Sequence, residues 1–307
     1  MALSLDALEA LRRTSRTFYI PIVRLPEGLR DAVGSAYLCM RAIDEIEDHE
    51  HLPARDKQTM LEAVGRIFME AADTSSLSLA RLDELFSPYR STLPQVTLDV
   101  GRYGMMAPEP VAETVWRSTA EMAQRMAYWA QSDWSVHTEK DLDDYTFDVA
   151  GRVGLLLNEL WAWYDGTEAD PEEAVSFGRG LQSVNILRNR QEDLQRGADF
   201  YPDGWTNDDL HRYVKRQLEI ADAYVARLPA GPVREFCQLP LMLARGTQKA
   251  IYSGLAKLSR PSVMRLVDQC IGSGSSGQTL QSISGAHEDP ERPHRESGSA
   301  VGEDLLH

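Results

Sequence analysis

The chain has 307 residues, and its 43% hydrophobic and 26% charged residues are typical of a folded protein with a substantial core. A formal net charge of −15 with no basic stripe excludes a nucleic-acid partner and gives a surface that repels anionic lipid. Three cysteines without paired spacing, no signal-peptide pattern and no apolar run near ~20 residues predict a cytoplasmic protein with no stable membrane anchor.

Helical periodicity dominates and no convincing strand alternation appears, so we expect an all-α protein. Pro21 and Pro26 are expected to interrupt the chain after SRTFYI, and Thr138 is the predicted N-cap of a helix over 139–163. The other predicted helices cover 5–13, 29–48, 56–72, short pieces at 79–90 and 95–104, a long helix opened by Pro108 and Pro110, and 172–195, 206–227, 232–257 and 261–271. Because glycine and serine dominate the last segment, we predict one domain over 1–272 and a disordered acidic tail over 273–307.

Two of these helices carry polar stripes at helical spacing. The first, in YLCMRAIDEIED, consists of Tyr37, Arg41, Asp44, Glu45 and Asp48. The second, in NILRNRQEDLQRG, consists of Asn185, Asn189, Glu192 and Asp193, with Arg188 at its edge. A single charged run is usually a solvated face with ion pairs. Two such runs embedded in apolar sequence instead favour a Mg²⁺ and diphosphate site between two helices.

The residue types suit the ionisation of an allylic diphosphate. Guanidinium groups of Arg16, Arg41 and Arg188 can grip phosphate oxygens, and carboxylates at 44, 48 and 193 can hold Mg²⁺. A carbocation would need an apolar, aromatic pocket. Candidate lining residues are Phe18, Tyr37, Tyr145, Phe147, Trp161 and Trp163, although each aromatic taken singly is more often plain core.

The segment YTFDVAGRVG contains two helical glycines, which usually permit the close approach of another helix or a ligand. Asp148 in this segment is either a surface residue or a buried acid near the pocket.

The spacing Asp48-x-x-His51 is reminiscent of di-iron ligands, but the second stripe supplies no partner histidine. Phosphate-loop, dinucleotide-binding and nucleophile-elbow motifs do not occur in the sequence.

Four motifs in order resemble the squalene/phytoene synthase family over about residues 14–265. They are SRTF at 15–18, YLCMRAIDEIED at 37–48, YTFDVAGRVG at 145–154 and LQSVNILRNRQEDLQRGADFYP at 181–202. The resemblance implies a single-domain isoprenoid synthase fold with helices around a central cavity. It also implies Mg²⁺ as cofactor and allylic prenyl diphosphates as substrates.

The resemblance also implies roles for individual residues. The implied metal ligands are Asp44, Glu47, Asp48, Asn189, Glu192 and Asp193. The implied substrate-binding positions are Arg16, Thr17, Phe18, Tyr37, Arg41, Gln182 and Asn185. Tyr145 and Arg188 match positions near the departing diphosphate.

Two positions depart from the family pattern. Asn189 stands where the second motif begins with aspartate, and Asp148 stands where an aromatic residue is common. These departures favour a Mg²⁺-dependent prenyltransferase that ionises one diphosphate and passes the cation to a small, non-isoprenoid, aromatic acceptor, with Asp148 as catalytic base. Some bacterial relatives prenylate aromatic acceptors such as carbazoles. The alternatives are a head-to-head synthase that condenses two prenyl diphosphates and a non-catalytic isoprenoid-binding protein.

Overall fold

The computed structural model describes residues 2–195, 197–256 and 258–274, without the side chains of Arg16 and of residues 271–274. Within these ranges the chain forms α-helices, short 3₁₀ segments and one π-helical segment, and no strand, which confirms the all-α prediction. The predicted tail lies outside the described residues, except for residues 273 and 274, which end the last helix.

The helix bounds follow the predicted order closely. They are α1 (Leu5–Thr14), α2 (Arg16–Val23), α3 (Leu29–Glu47), α4 (Ala54–Asp73), α5 (Arg81–Phe86), α6 (Gln95–Leu98), α7 (Val100–Gly104), α8 (Glu109–Gln131), α9 (Glu139–Thr146), α10 (Arg152–Asp165), α11 (Pro171–Gln195), α12 (Asn207–Arg227), α13 (Pro232–Tyr252) and α14 (Arg260–Gly274). The 3₁₀ segments Ser76–Ala80 and Ser87–Tyr89 flank α5.

Local sequence explains how the helices begin. The Thr138 hydroxyl accepts from the backbone N–H of Asp141, and the Asp141 carboxylate accepts from the Thr138 N–H, which confirms the predicted cap. Helix α2 differs from prediction because it continues through Pro21. A helix of only eight residues loses a single backbone hydrogen bond at this proline.

The core is centred on α3, in which 14 of 19 residues are buried. Helix α3 packs on α6, α7 and α8, and α4 packs along α8. On the other side, α11 packs on α12 and α13. Helix α10 contacts both α3 and α11 and so fixes the position of one polar stripe relative to the other.

Two glycines let α11 approach α10 and the segment before it. A Cβ atom on Gly154 would lie 2.0 Å from the carbonyl oxygen of Ala174, and one on Gly178 would lie 2.2 Å from that of Ala150. Any larger residue at either position would therefore force α11 away from α10 or from the segment before it. The predicted close approach of another helix at Gly154 is confirmed.

The predicted continuous helix over 139–163 is instead two helices joined by the π-helical segment Phe147–Gly151. Such wide turns are rare and occur frequently at functional sites. Here the turn contains Asp148, whose buried carboxylate contacts α8. Tyr145 lies one residue before the end of α9, directly before the wide turn.

Candidate active site

Tyr145 marks the place where the two polar stripes meet. Its side chain is buried, and burial raises the pKa of the phenol well above its ordinary value. The negative charges of Glu47, Asp48, Asp193 and Asp44 raise that pKa further, in that order. Carboxylates from α3 and from α11 are therefore close enough to act on one hydroxyl group.

The α3 stripe carries an arginine with unused donors. Arg41 donates from Nη2 to the Glu45 carboxylate, whereas its buried Nε and Nη1 have no hydrogen-bond partner among the described residues. Burial lowers the pKa of Arg41, but the charges of Glu45 and Asp44 outweigh it, so the guanidinium stays cationic. An unsatisfied buried donor costs about 1–3 kcal/mol, and a bound anion would remove that cost.

The α11 stripe likewise carries a buried polar atom without a hydrogen-bond partner among the described residues, in this case an acceptor. The Oδ1 atom of Asn185 is buried without a hydrogen-bond partner in the described part of the chain, while its Nδ2 donates to Gln182 at 3.4 Å. The Oδ1 atom of Asn189 instead accepts from Arg188 Nε at 2.8 Å. Asn185 therefore offers an amide oxygen with no protein partner among the described residues, whereas the Asn189 oxygen already accepts one hydrogen bond and keeps a second lone pair. The role of Asn189 as a metal ligand stays a prediction.

The donor set fits a divalent cation shared with substrate. In residues 2–195, 197–256 and 258–274, no group of three or more His, Cys, Asp or Glu side chains could hold a metal ion. Mg²⁺ is usually bound by one or two carboxylates together with substrate phosphates and water, rather than by an all-protein cage. Asp44 and Asp48 on one helix, and Asp193 and the orphaned Asn185 oxygen on the other, suit that mode of binding.

Aromatic rings form two groups beside this region. Phe18 lies 5.9 Å from Tyr37 and 6.2 Å from Phe236, measured between ring centroids, and Trp161 lies 5.4 Å from Phe236. In the second group, Tyr145 stacks on Phe200 at 4.4 Å and meets the edge of Trp129 at 5.3 Å.

Two of the predicted lining residues have other ring partners. The ring of Phe147 lies near two guanidinium groups, with the Cζ atoms of Arg152 and Arg179 at 5.0 and 5.8 Å from its centroid. Trp163 pairs with Tyr164 at 6.4 Å. Two implied metal ligands differ in their surroundings: the side chain of Glu192 is exposed, and the Glu47 carboxylate accepts from the Trp134 indole. Their role as ligands stays a prediction. Thr17 is buried, and the side chain of Arg16 lies outside the described residues.

Asp148 is the buried acid of the two alternatives left open by the sequence, with 3% of its surface exposed. Its Oδ2 accepts from Arg125 Nε at 2.9 Å and from Trp129 Nε1 at 2.9 Å, and Arg152 Nε lies 3.6 Å from Oδ1. The two donors to Oδ2 both belong to α8, so the protein itself holds this carboxylate in place. The role of Asp148 as the base for an acceptor stays a prediction, and an acceptor would have to share this carboxylate with Arg125 and Trp129.

Sequence reasoning missed several residues at the site. Phe200 directly precedes the Tyr-Pro pair of the fourth motif, so its place next to Tyr145 could have been suspected. Arg190 places its guanidinium 3.6 Å from the Tyr201 ring centroid and pairs with Asp199 at 3.2 Å, which ties the segment carrying Phe200 to α11. Trp134 gave no signal, since its contact with α3 spans 87 residues of sequence.

Comparison with known sequences gives a consistent result. Residues 11–214 match the family profile described as Squalene/phytoene synthase. The chain is 27% identical to the squalene synthase of Schizosaccharomyces pombe over 284 residues, which cover 80% of this chain and 58% of the yeast protein. It is also 27% identical to the Homo sapiens squalene synthase over 274 residues, covering 79% of this chain and 62% of the human protein.

Solved structures share the fold. A complex of TcSQS with the ligand E5700 aligns with a TM-score of 0.69 at 22% identity, covering 85% of this chain and 84% of that one. A dehydrosqualene synthase in complex with a ligand aligns with a TM-score of 0.59 at 17% identity, covering 87% and 95%. No helix of the described residues has both the length and the apolar character needed to cross a membrane.

Proposed function

Because this chain belongs to the squalene/phytoene synthase family, we propose that it is a head-to-head prenyl synthase that condenses two prenyl diphosphates. In this reaction, loss of diphosphate from C1 of one chain leaves an allylic cation. The double bond of the second chain attacks this cation, which forms a C–C bond and leaves a new cation on the second chain. Loss of a proton from C1 of the second chain then closes a cyclopropane ring, and the coupled product still carries the second chain's diphosphate. The proposal replaces transfer to an aromatic acceptor as the favoured function.

The observation that carries the proposal is the convergence of the two stripes on Tyr145. Carboxylates of α3 and α11 act on the same buried phenol, and α3 places the unused donors of Arg41 in the same stripe. An anion with several oxygens would accept hydrogen bonds from Nε and Nη1 of Arg41, and a divalent cation would bind the acids of both stripes. A diphosphate has that chemistry.

Each element of the site has a role in the proposed reaction. Asp44, Asp48, Asp193 and the Asn185 oxygen would hold Mg²⁺, which when bound neutralises charge on the departing diphosphate. Arg41 and Arg188 would contact diphosphate oxygens. The raised pKa of Tyr145 keeps its phenol protonated, so that it can donate a hydrogen bond to the leaving group. The rings of Phe18, Phe236 and Trp161 offer an apolar, aromatic surface to the prenyl chain.

Transfer to an aromatic acceptor remains a second candidate for one reason. Asn189 lacks the charge of the aspartate usual at that position, and its amide oxygen is engaged by Arg188. An α11 stripe that binds metal more weakly would suit a reaction in which only one diphosphate is ionised. The main argument for an aromatic acceptor, however, was Asp148, and its carboxylate is paired with Arg125 and Trp129.

One incubation separates the two candidates. The purified full chain is supplied with Mg²⁺ and a single prenyl diphosphate, in a series of increasing chain length, without an aromatic acceptor, with and without NADPH. We expect diphosphate release together with a coupled cyclopropyl diphosphate, or a hydrocarbon once NADPH is present, detected by mass spectrometry. The Asp48→Asn variant is the matched control.

Release of prenyl alcohol alone would overturn the head-to-head proposal and direct the search to an acceptor. Absence of diphosphate release at every chain length would contradict prenyl diphosphate chemistry in this chain altogether. The Asp48→Asn control guards against contaminating phosphatase, because a phosphatase would act equally in both preparations.

A further inference from the structure

A buried tryptophan connects Asp148 to Tyr145. Trp129 donates its indole N–H to Asp148 Oδ2 at 2.9 Å. Its ring meets the Tyr145 ring edge-on, with centroids 5.3 Å apart and planes at 85°. Phe200 covers Tyr145 by stacking at 4.4 Å and 18°. The Tyr145 ring is therefore held between a stacked ring and a perpendicular one, and the perpendicular ring is itself fixed by Asp148.

Arg125 fixes the carboxylate in turn. Its Nε and Nη2 atoms lie 2.9 and 2.8 Å from Asp148 Oδ2, and Arg152 approaches the other oxygen. Asp148 and Trp129 are each less than a twentieth exposed, and both face the boundary between α8 and the π-helical segment. A buried carboxylate is costly unless it is paired and hydrogen-bonded, and this one is both.

We propose that Asp148 and Trp129 are positioning residues that set the orientation of the Tyr145 phenol. The wide turn of the π-helical segment places Asp148 against α8 while Tyr145, three residues earlier, faces the acidic stripes. Asp148 thus acts on the proposed reaction through Trp129 and Tyr145, and it neither exchanges a proton with substrate nor contacts it. The effect on turnover rests on the proposed function, whereas the effect on the Tyr145 ring does not.

The first test compares two single variants with a matched control. Trp129→Phe keeps a ring against Tyr145 but removes the indole donor, and Asp148→Asn keeps an acceptor oxygen without the charge. We expect Trp129→Phe to lower kcat for coupled product by about 10- to 100-fold, the scale of a misplaced catalytic group, with KM changed less than about threefold. Trp116→Phe is the control, because Trp116 on the same helix donates its indole N–H to the Gly104 carbonyl at 2.8 Å.

The second test asks whether the effect passes through Tyr145. If it does, Trp129→Phe and Asp148→Asn should cause little further loss of kcat in a Tyr145→Phe background, so that the losses are strongly non-additive. Full additivity would overturn the proposal. So would a loss in Trp129→Phe no larger than that in Trp116→Phe.

The third test does not depend on turnover. 3-Fluorotyrosine is incorporated at position 145, and its ¹⁹F resonance is recorded in the full-length protein. We expect the resonance to shift or broaden in Trp129→Phe and in Asp148→Leu, and to stay unchanged in Trp116→Phe. An unchanged resonance in both site variants would overturn the proposal. If the parent protein yields no coupled product, the proposed function fails, and this measurement still decides the positioning role.

Discussion

The indole Nε1 of Trp134 donates a hydrogen bond to Glu47 Oε1 at 2.6 Å, which joins the loop after α8 to the last turn of α3. Lys57 from α4 donates its Nζ to the Glu47 carbonyl and lies 5.2 Å from the Trp134 ring centroid. Trp134 adopts a φ of 50°, a left-handed conformation that is strained for a bulky residue. The side chain of Glu47 thus anchors the turn that carries Asp44 and Asp48.

Glu47 and Asp48 are adjacent acids from which we expect different behaviour. In Glu47→Gln the amide oxygen can still accept from Trp134, so kcat should stay within about tenfold of the parent value. In Asp48→Asn the lost charge should lower kcat by more than about 100-fold, because it weakens metal-assisted ionisation. Steady-state assays of diphosphate release measure both, and equal losses in the two variants would argue that Glu47 is a metal ligand.

Asp44 lies one turn before Asp48 on α3 and adds to the charge around Tyr145. We expect Asp44→Ala to abolish turnover while circular dichroism and melting temperature stay close to those of the parent, because the side chain is only partly buried. Activity above about a tenth of the parent value, a loss under ~1.4 kcal/mol, would remove Asp44 from the site.

The crossing of α11 over α10 should be intolerant of a methyl group. Gly154→Ala gains about 1 kcal/mol in helix propensity, but its Cβ would lie 2.0 Å from the Ala174 carbonyl oxygen. We expect a net loss of about 2–4 kcal/mol in the free energy of unfolding, measured by urea titration. Gly246→Ala is the control, because its Cβ would meet only leucine methyl groups, at 3.0 and 3.1 Å, and should cost under about 1 kcal/mol.

Buried tyrosines set the alkaline limit of stability. Burial raises the pKa of Tyr37, Tyr103 and Tyr201 from 10.0 to about 12. The unfolded chain therefore releases these protons at lower pH than the folded chain does. Their contribution to stability is fully present below about pH 10 and is lost as the pH rises from 10 towards 12. Tyrosinate absorbance near 295 nm and far-ultraviolet circular dichroism should change together in this window. Tyrosine titration complete by pH 10, with the fold intact, would contradict the prediction.

Local patterns were sufficient to predict the helices and both stripes. Thr138 followed by Asp141 is a capping box that depends on four consecutive residues, and the stripe of α3 follows from spacing alone. The prediction that Asp48 and Asp193 serve one site came from the chemistry that two such stripes share and from the family resemblance.

Contacts between distant segments could not be predicted in the same way. Asp148 meets Arg125 and Trp129, which precede it by 23 and 19 residues, and its neighbours in sequence are compatible with either exposure or burial. The role of Asp148 as a base was inferred from residue type at a single position. Its partners Arg125 and Trp129 lie on another helix, α8, and no local pattern pointed to them.

The wide turn at Phe147–Gly151 joins α9 to α10, and each of these helices carries a residue that must point in a particular direction. Before it, Tyr145 faces the acids, and after it, Gly154 faces the Ala174 carbonyl. One residue advances an α-helix by about 100°, so removing a residue from this turn would rotate one of those faces away from its partner. The length of the segment is therefore as constrained as any side chain in it. Insertions and deletions among relatives are expected on either side of the turn rather than within it.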